Sequence, residues 1–412
     1  MTRRTNEVDM SDPGRTAVIT GAARTPVGRF MGGLAPLSSP TLGGVAIRSA
    51  LEKSGIDPSD IDDVILGNVV AAGAGQAPGR QAALAGGVPD TVGAMTVSRV
   101  CGSGLQAVML AAQAIRAGDA RVIVAGGMES MSNVPYYLTG YREGVKFGNR
   151  ELIDGLIHDG LWCAFNECHM GGHAEYTAWK AGISRADADA FALESHRRAI
   201  AAIDGGRFVE EIVPVSIESR RGTTVVDTDE PPRRDSSAEA LAKLKPAFAK
   251  DAPREVTDPV VTAGNSPGLN DGGAALVVTS EEYARAHGLT ILARVSAYAN
   301  GAVAPRELFF APVRAVQKVM EKEGKQIGDY GLFEVNEAFA VQALADGREL
   351  GMDWDRVNVN GGAVALGHPI GASGSRILVT LLHAMKQRDA ESGLATLCLG
   401  GGDAVALSVE RV

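Results

Sequence analysis

Four residues of this sequence have types and neighbours suited to nucleophilic and acid–base chemistry at a carbonyl: Cys101, Asn336, His368 and Cys398. Cys101 opens the turn Cys101-Gly102-Ser103-Gly104 at the start of a helical repeat, where free N–H groups and the positive helix end favour a thiolate. That prepares a nucleophile; the bland reading is a small buried hydrophobe. His368 sits in GGAVALGHPIGASG, where glycines let the chain fold closely around a ligand and Pro369 restricts the residue before it. A histidine in so stiff a turn suits a general base, and otherwise is a loop imidazole bonded to backbone. Cys398 ends the apolar run LATLCL and meets Gly400-Gly401-Gly402, whose N–H groups would reach a developing oxyanion; packing is again the alternative. Asn336, in EVNEAFA, would orient a water or carbonyl, or cap the helix that follows.

Rival constellations are weaker. Gly264-Asn265-Ser266-Pro267-Gly268 fits the G-x-S-x-G hydrolase pattern, but the segment after it, LNDGGAALVV, reads as a strand where an elbow needs a helix. Cys163, Cys168, His169 and His173 echo zinc-ligand spacing without the usual intervening segment, which leaves a structural zinc as an open alternative to no metal at all. Gly73-Ala74-Gly75 lacks the third glycine of a dinucleotide fingerprint, and no phosphate-loop motif is present.

The elements that must hold these residues read as two similar α/β halves. TAVITGAARTPVG, IDDVILGNVV, AMTVSRV and RVIVAGG read as strands, and Leu105, Val108, Met109, Ala112 and Ile115 share one face of a helix ending at Gly118. The order returns in the second half through APVRAVQKVMEKEG, GLFEVNEA, a helix face of Ile377, Leu378, Leu381, Leu382 and Met385, and LATLCLGG. Asn68 and Asn336, Gly104 and Gly374, Gly126 and Gly400 recur with nearly the same offset. Strands alternating with helices predict largely parallel sheets with ligands beyond their carboxyl ends. Between about Asn133 and Pro259 the order breaks down, which marks an insertion carrying a helix at ISRADADAFALESHRRAI and the loop SRRGTTVVDTDEPPRRDSS.

Composition narrows the partners. The chain has 412 residues, 40 basic and 49 acidic, for a net charge of -9, the wrong sign for tracking nucleic acid. Its 51 glycines imply many tight turns and close approaches. Four cysteines are too few for a disulfide framework, and no segment reads as a membrane span, so a cytoplasmic protein with a loose tail over residues 1–15 is expected.

RVCGSGLQA around Cys101, AGGMESMSNVPY from Ala125, HMG from His169, VTAGN from Val261, NEAFA from Asn336, GGAVALGHPIGASG and CLGGG from Cys398 resemble the thiolases, from about Thr16 to Val412, and within them the acetyl-CoA acetyltransferases. The resemblance implies two βαβαβαββ halves stacked as a five-layered αβαβα core. The N-terminal half would span 16–132 plus about 260–285, the inserted loop domain 133–259 and the C-terminal half 286–412, in a homotetramer. It implies that Cys101 takes the acyl group, His368 accepts its proton, and Cys398 exchanges a proton with the α-carbon of the second substrate. A water on Asn336 with His368 would form one oxyanion hole, the N–H groups of Cys101 and Gly400 the other. Leu161, His169, Met170, Arg233, Leu244, Phe248, Ala263 and Phe339 match coenzyme A contacts, while a solvated loop arginine is the bland reading of Arg233. Acetyl-CoA, acetoacetyl-CoA and CoA would be substrates, with no cofactor, nucleic acid or membrane involved. His169-Met170 resembles the short-chain branch; a thiolase for longer or branched 3-ketoacyl chains and a non-catalytic CoA-binding scaffold are the alternatives. The sequence departs from the family pattern at Ser98, Pro267, Leu308-Phe309-Phe310 and Ala404, which touches the expected acyl pocket and one pantetheine hydrogen bond.

Overall fold

The strands Val122–Ser130 and Asn270–Ser280 are buried along their whole length, so both faces of the sheet that holds them must be covered. In a computed structural model, which describes residues 12–220 and 222–412, two layers of strands are covered in this way. Of the expected N-terminal tail, residues 1–11 lie outside the described residues; Arg15 donates to the carbonyl of Arg116 at the end of the helix Ser103–Ala117.

In the first half the strand order is Gly93–Val97, Asp63–Gly67, Val122–Ser130, Asn270–Ser280, Ala17–Arg24; in the second it is Leu332–Val335, Ser392–Leu399, Asp403–Glu410, Ala293–Ala302. The two meet through a short antiparallel contact of Val18 with Arg294 and Ile19 with Ala293. The sheets are mixed rather than largely parallel: Asp63–Gly67 runs parallel to both neighbours, whereas Asn270–Ser280 and Asp403–Glu410 run antiparallel to the strands beside them. In the second half the reversal follows from the short Gly400–Gly402 connection, which allows only a hairpin return. The equivalent of Gly93–Val97 in the second half shrinks to a single bridge between Phe333 and Val357. Asn358, in the left-handed region at φ 47°, stops the strand there. Its side-chain amide replaces the missing pairing, accepting from Val335 N–H and donating to Val335 C=O, each at 2.8 Å.

Ser39–Ser54 and Pro78–Ala85 cover one outer face and Ala311–Glu323 the other. Ser103–Ala117 and Ser373–Arg388 pack against each other in the middle and touch both sheets, completing five layers. Their crossing depends on two glycines: a Cβ on Gly104 would lie 2.7 Å from Ser375 N, and one on Gly374 would lie 2.4 Å from Leu105 N. The segment between the halves contributes the helices Met170–Ala181 and Arg185–Asp204, the latter started by a reciprocal cap between Ser184 and Asp187. It is tied to the first sheet by buried Arg24, which donates to Glu211 at 2.6 Å and to both oxygens of Asp229 at 2.7 and 2.9 Å. Among the described residues no helix is long and apolar enough to cross a membrane.

Candidate active site

Cys101 follows a strained elbow. Val100 has φ 46°, a conformation that β-branched residues avoid, so surrounding bonds must impose it. Ser103 supplies two of them: its Oγ accepts from Arg99 N–H at 2.8 Å and donates to Val100 C=O at 2.7 Å. Arg99 is in turn held by Asp403 of the second half at 2.6 Å. The helix begins at Ser103, two residues beyond the cysteine. Burial pushes the Cys101 thiol up to about 12, outweighing the lowering by the N–H groups of Cys101 and Gly400. The thiolate expected from the helix start is therefore a thiol at rest, because desolvation exceeds what the two N–H donors return.

His368 has a fixed tautomer. Ser373 Oγ lies 2.6 Å from His368 Nδ1 and donates its one hydrogen to Pro369 C=O at 2.8 Å, so it must accept from Nδ1–H. Nε2 then carries the free lone pair. The main chain of His368 donates to Asn270 Oδ1 at 2.8 Å, and Gly371 N–H in the same loop donates to Glu129 at 3.0 Å. Burial first, and then the charge of Arg376, hold the His368 ring down to about 3, so it rests neutral.

Asn336 is fully buried, and neither atom of its amide has a hydrogen-bond partner among the described residues. Its N–H pairs with Thr396 C=O at 3.0 Å, which fixes the backbone but not the side chain. The capping alternative does not hold: the helix Ala340–Leu350 starts after Phe339 without a side-chain cap. A buried amide with both ends open is a site for ordered water. Next to it, Glu337 accepts from Ser195 and Asn358, each at 2.8 Å, and anchors the turn.

Cys101, His368, Cys398 and Gly400 converge on one cleft of about 410 Å³. Leu161, His169, Met170, Arg233, Phe248, Ala263 and Phe339 line it too, whereas Leu244 stands in an adjoining groove of about 770 Å³ that shares Arg233 and Ala263. Asn336 is not among the residues that line this cleft, although Ala338 and Phe339, two and three residues on, are. Burial first, and then the nearby Cys101 sulfur, push the Cys398 thiol well above its ordinary value. His169 caps the helix Met170–Ala181 by accepting Gly171 N–H at 3.0 Å on Nδ1, and its ring stacks on Phe248 at 4.7 Å. Phe339 meets Phe248 and Phe309 edge-on, and Leu308 and Phe309 fill the wall with no polar atom. Pro267 also lines the cleft.

Sequence reasoning missed Glu129, Asn270, Ser373 and the clamp at Ser103. Glu129 and Asn270 had a signal: a lone polar residue at the edge of a strand too apolar to be exposed must find a buried partner. Glu129 finds Asn68 at 2.7 Å and the N–H groups of Val69 and Val70, and burial raises it to about 7. The cysteine and histidine cluster resolves differently from a zinc site. Cys168 Sγ meets His173 Nε2 at 3.6 Å while Cys163 turns to Asn166, and no group of three or more ligand-type residues is gathered for a metal among the described residues.

The thiolase N-terminal domain model matches residues 17–282 and the thiolase C-terminal domain model residues 289–411. The chain belongs to the thiolase family. It is 54% identical over 395 residues to an acetyl-CoA acetyltransferase of Pseudomonas aeruginosa, covering 96% of this chain and 99% of that one. Against an acetyl-CoA acetyltransferase of Escherichia coli it is 52% identical over 399 residues, covering 97% and 100%. The crystal structure of the Bacillus anthracis acetyl-CoA acetyltransferase superimposes with a TM-score of 0.93 at 43% identity, over 96% of this chain and 99% of that one. In this thiolase two thiols, one tautomer-fixed imidazole and converging N–H donors share a cleft, a set suited to covalent acyl transfer followed by carbon–carbon bond formation.

Proposed function

We propose that this thiolase is an acetyl-CoA acetyltransferase, joining two acetyl-CoA into acetoacetyl-CoA plus CoA, or running the reverse thiolysis, through an acetyl group on Cys101. The observation that carries the reading is the meeting of Cys101, Cys398 and a neutral His368 with Nε2 free at one cleft.

The resting Cys101 thiol needs a base at the moment of attack. Cys101 Sγ attacks the acetyl-CoA carbonyl while His368 Nε2 takes the thiol proton, and CoA leaves as the thiol with the proton of Cys398, which becomes a thiolate. In the second half-reaction the Cys398 thiolate removes a proton from the α-carbon of a second acetyl-CoA. The resulting enolate attacks the acetyl carbon, and the Cys101–carbon bond breaks, Cys101 taking back the proton held on His368 Nε2. A water on the Asn336 amide and the proton on His368 Nε2 would donate to one oxyanion; the N–H groups of Cys101 and Gly400 would serve the other. Atoms and charges balance without a metal or redox cofactor. CoA would lie along the cleft into the groove of Leu244, with Arg233 beside its phosphates and adenine and His169, Met170, Phe248 and Phe339 against pantetheine. Leu308 and Phe309 occupy wall space that a longer acyl chain would need, which supports the acetyl reading over a long-chain one.

The insertion, 133–259, would carry these CoA contacts and those of a homotetramer, as the exposed Tyr136, Tyr141, Phe147 and Leu152 support. The reading includes a cytoplasmic location, with which a net charge of -9 is in keeping. Thiolysis of acetoacetyl-CoA by free CoA, run beside 3-ketohexanoyl-CoA and a 2-methyl-branched analogue, tests the reading. A clear preference for acetoacetyl-CoA supports it, and preference for the longer or branched chain moves the protein to the degradative alternative. No turnover of any of them, with Cys101 still alkylated, contradicts the acyl-transfer reading.

A further inference from the structure

Cys163 and Cys168 are outside the mechanism above, yet the fold sets them face to face. The strands Trp162–Cys163 and Cys168–His169 form a two-residue antiparallel hairpin in which Cys163 and Cys168 are direct cross-strand partners. Directly opposed residues have Cα atoms about 4.5–5.5 Å apart, inside the window of about 4.4–6.8 Å that a disulfide spans. Both are free thiols: Cys163 is buried and Cys168 partly exposed. We propose that Cys163 and Cys168 form a reversible disulfide across this hairpin, made by exchange with a low-molecular-weight disulfide, and that closing it alters access to the neighbouring cleft.

The roles follow from exposure. Cys168 can be reached from solvent, and His173 Nε2 lies 3.6 Å from its sulfur. Burial and then the charge of Arg306 lower His173, so its ring rests neutral, and Nε2 is the base within reach of the Cys168 proton. The Cys168 thiolate attacks the small disulfide, breaking its S–S bond and releasing one thiolate. Cys163 then attacks the Cys168 sulfur of the mixed disulfide and releases the second. The two protons lost by the protein end on the two small thiols. Burial and the Cys163 sulfur push the Cys168 thiol up to about 11, which makes the exchange slow at neutral pH and faster as the pH rises.

The hairpin is well placed to report on the cleft. His169, which ends it, and Met170, which follows, line the cleft wall, and the exposed ring of Phe165 at its tip lies near Gly401, where an added Cβ would come within 3.5 Å of it. A covalent cross-link removes bending freedom from a hairpin whose ladder is only two residues long.

The test equilibrates the full-length protein with oxidised and reduced glutathione at pH 8, maps the 151–180 peptide without reduction, and times iodoacetamide labelling of Cys101. The expected result is loss of two hydrogens within that peptide, reversed by dithiothreitol, with the Cys101 labelling rate changed about threefold or more. Cys163→Ser should stop at a glutathione adduct on Cys168. In the double variant Cys163→Ser/Cys168→Ser, the labelling rate should no longer respond to this treatment. Persistence of the mixed disulfide in the unmodified protein, no oxidation of the peptide, or the same labelling response in the double variant overturns the inference. None of these readouts depends on the substrate, so this result and the acyl-transfer reading stand or fall separately.

Discussion

Asn68 and Asn336 end corresponding strands of the two halves, but only Asn68 has a partner for its amide: it donates to Glu129 at 2.7 Å, while Asn336, equally buried, has none among the described residues. The duplicated fold thus uses one position twice. In the first half it braces Glu129, which accepts Gly371 N–H at 3.0 Å and so steadies the His368 loop. In the second half it leaves a buried amide open.

An unpartnered buried amide costs about 1–3 kcal/mol. Asn336→Ala removes that cost together with the proposed water site. The expected outcome is a kcat about a hundredfold lower with a melting temperature unchanged or raised. A lowered melting temperature with full activity would mean that the amide serves packing.

Ser373 touches His368 only through Nδ1, so its contribution is orientation and tautomer. Ser373→Ala should lower kcat about tenfold and leave the KM for CoA unchanged. A rise in KM with kcat intact would place the serine in substrate binding.

The sign of the His368 shift gives a stability prediction. Its folded value, about 3, lies below the ordinary 6.5, so the unfolded chain binds the proton more readily. Stability tied to the neutral ring is complete above about pH 6.5 and is lost as pH falls toward 3. Urea unfolding of the parent and of His368→Gln at several pH values between 7 and 4 checks this: the parent should lose more stability than the variant. Parallel curves would contradict the assignment.

Much of this arrangement was legible because the chemistry sits in short turns whose glycines and order mark them. The paired turns at Gly104 and Gly374 showed the duplication, and Cys101, His368 and Cys398 could be singled out from their own neighbours. Polar residues whose partners lie far along the chain were not legible. Glu129 and Gly371 meet across the central layer, Asn270 reaches the His368 main chain, and neither contact leaves a local pattern. The resting state of Cys101 was misjudged because helix position is visible in sequence whereas burial by the packed core is not. The lost strand at Val357 depends on one asparagine side chain standing in for a peptide, which periodicity cannot register.

At Gly104 and Gly374 the central helices approach each other backbone to backbone. Gly104→Ala or Gly374→Ala forces a methyl group into main-chain atoms of the other helix and should cost about 3 kcal/mol, seen as a lower urea midpoint. An unchanged midpoint would show that the helices slide apart without loss.

The account's central claim is that Cys101 carries the acetyl group, and the most direct test is to mix the purified protein with acetyl-labelled acetyl-CoA, quench in acid and map the label. The account predicts label on Cys101 with release of free CoA, retained in Cys398→Ala, which forms the acyl-enzyme but makes no acetoacetyl-CoA. Label on another residue, or none while CoA is still released, would contradict it.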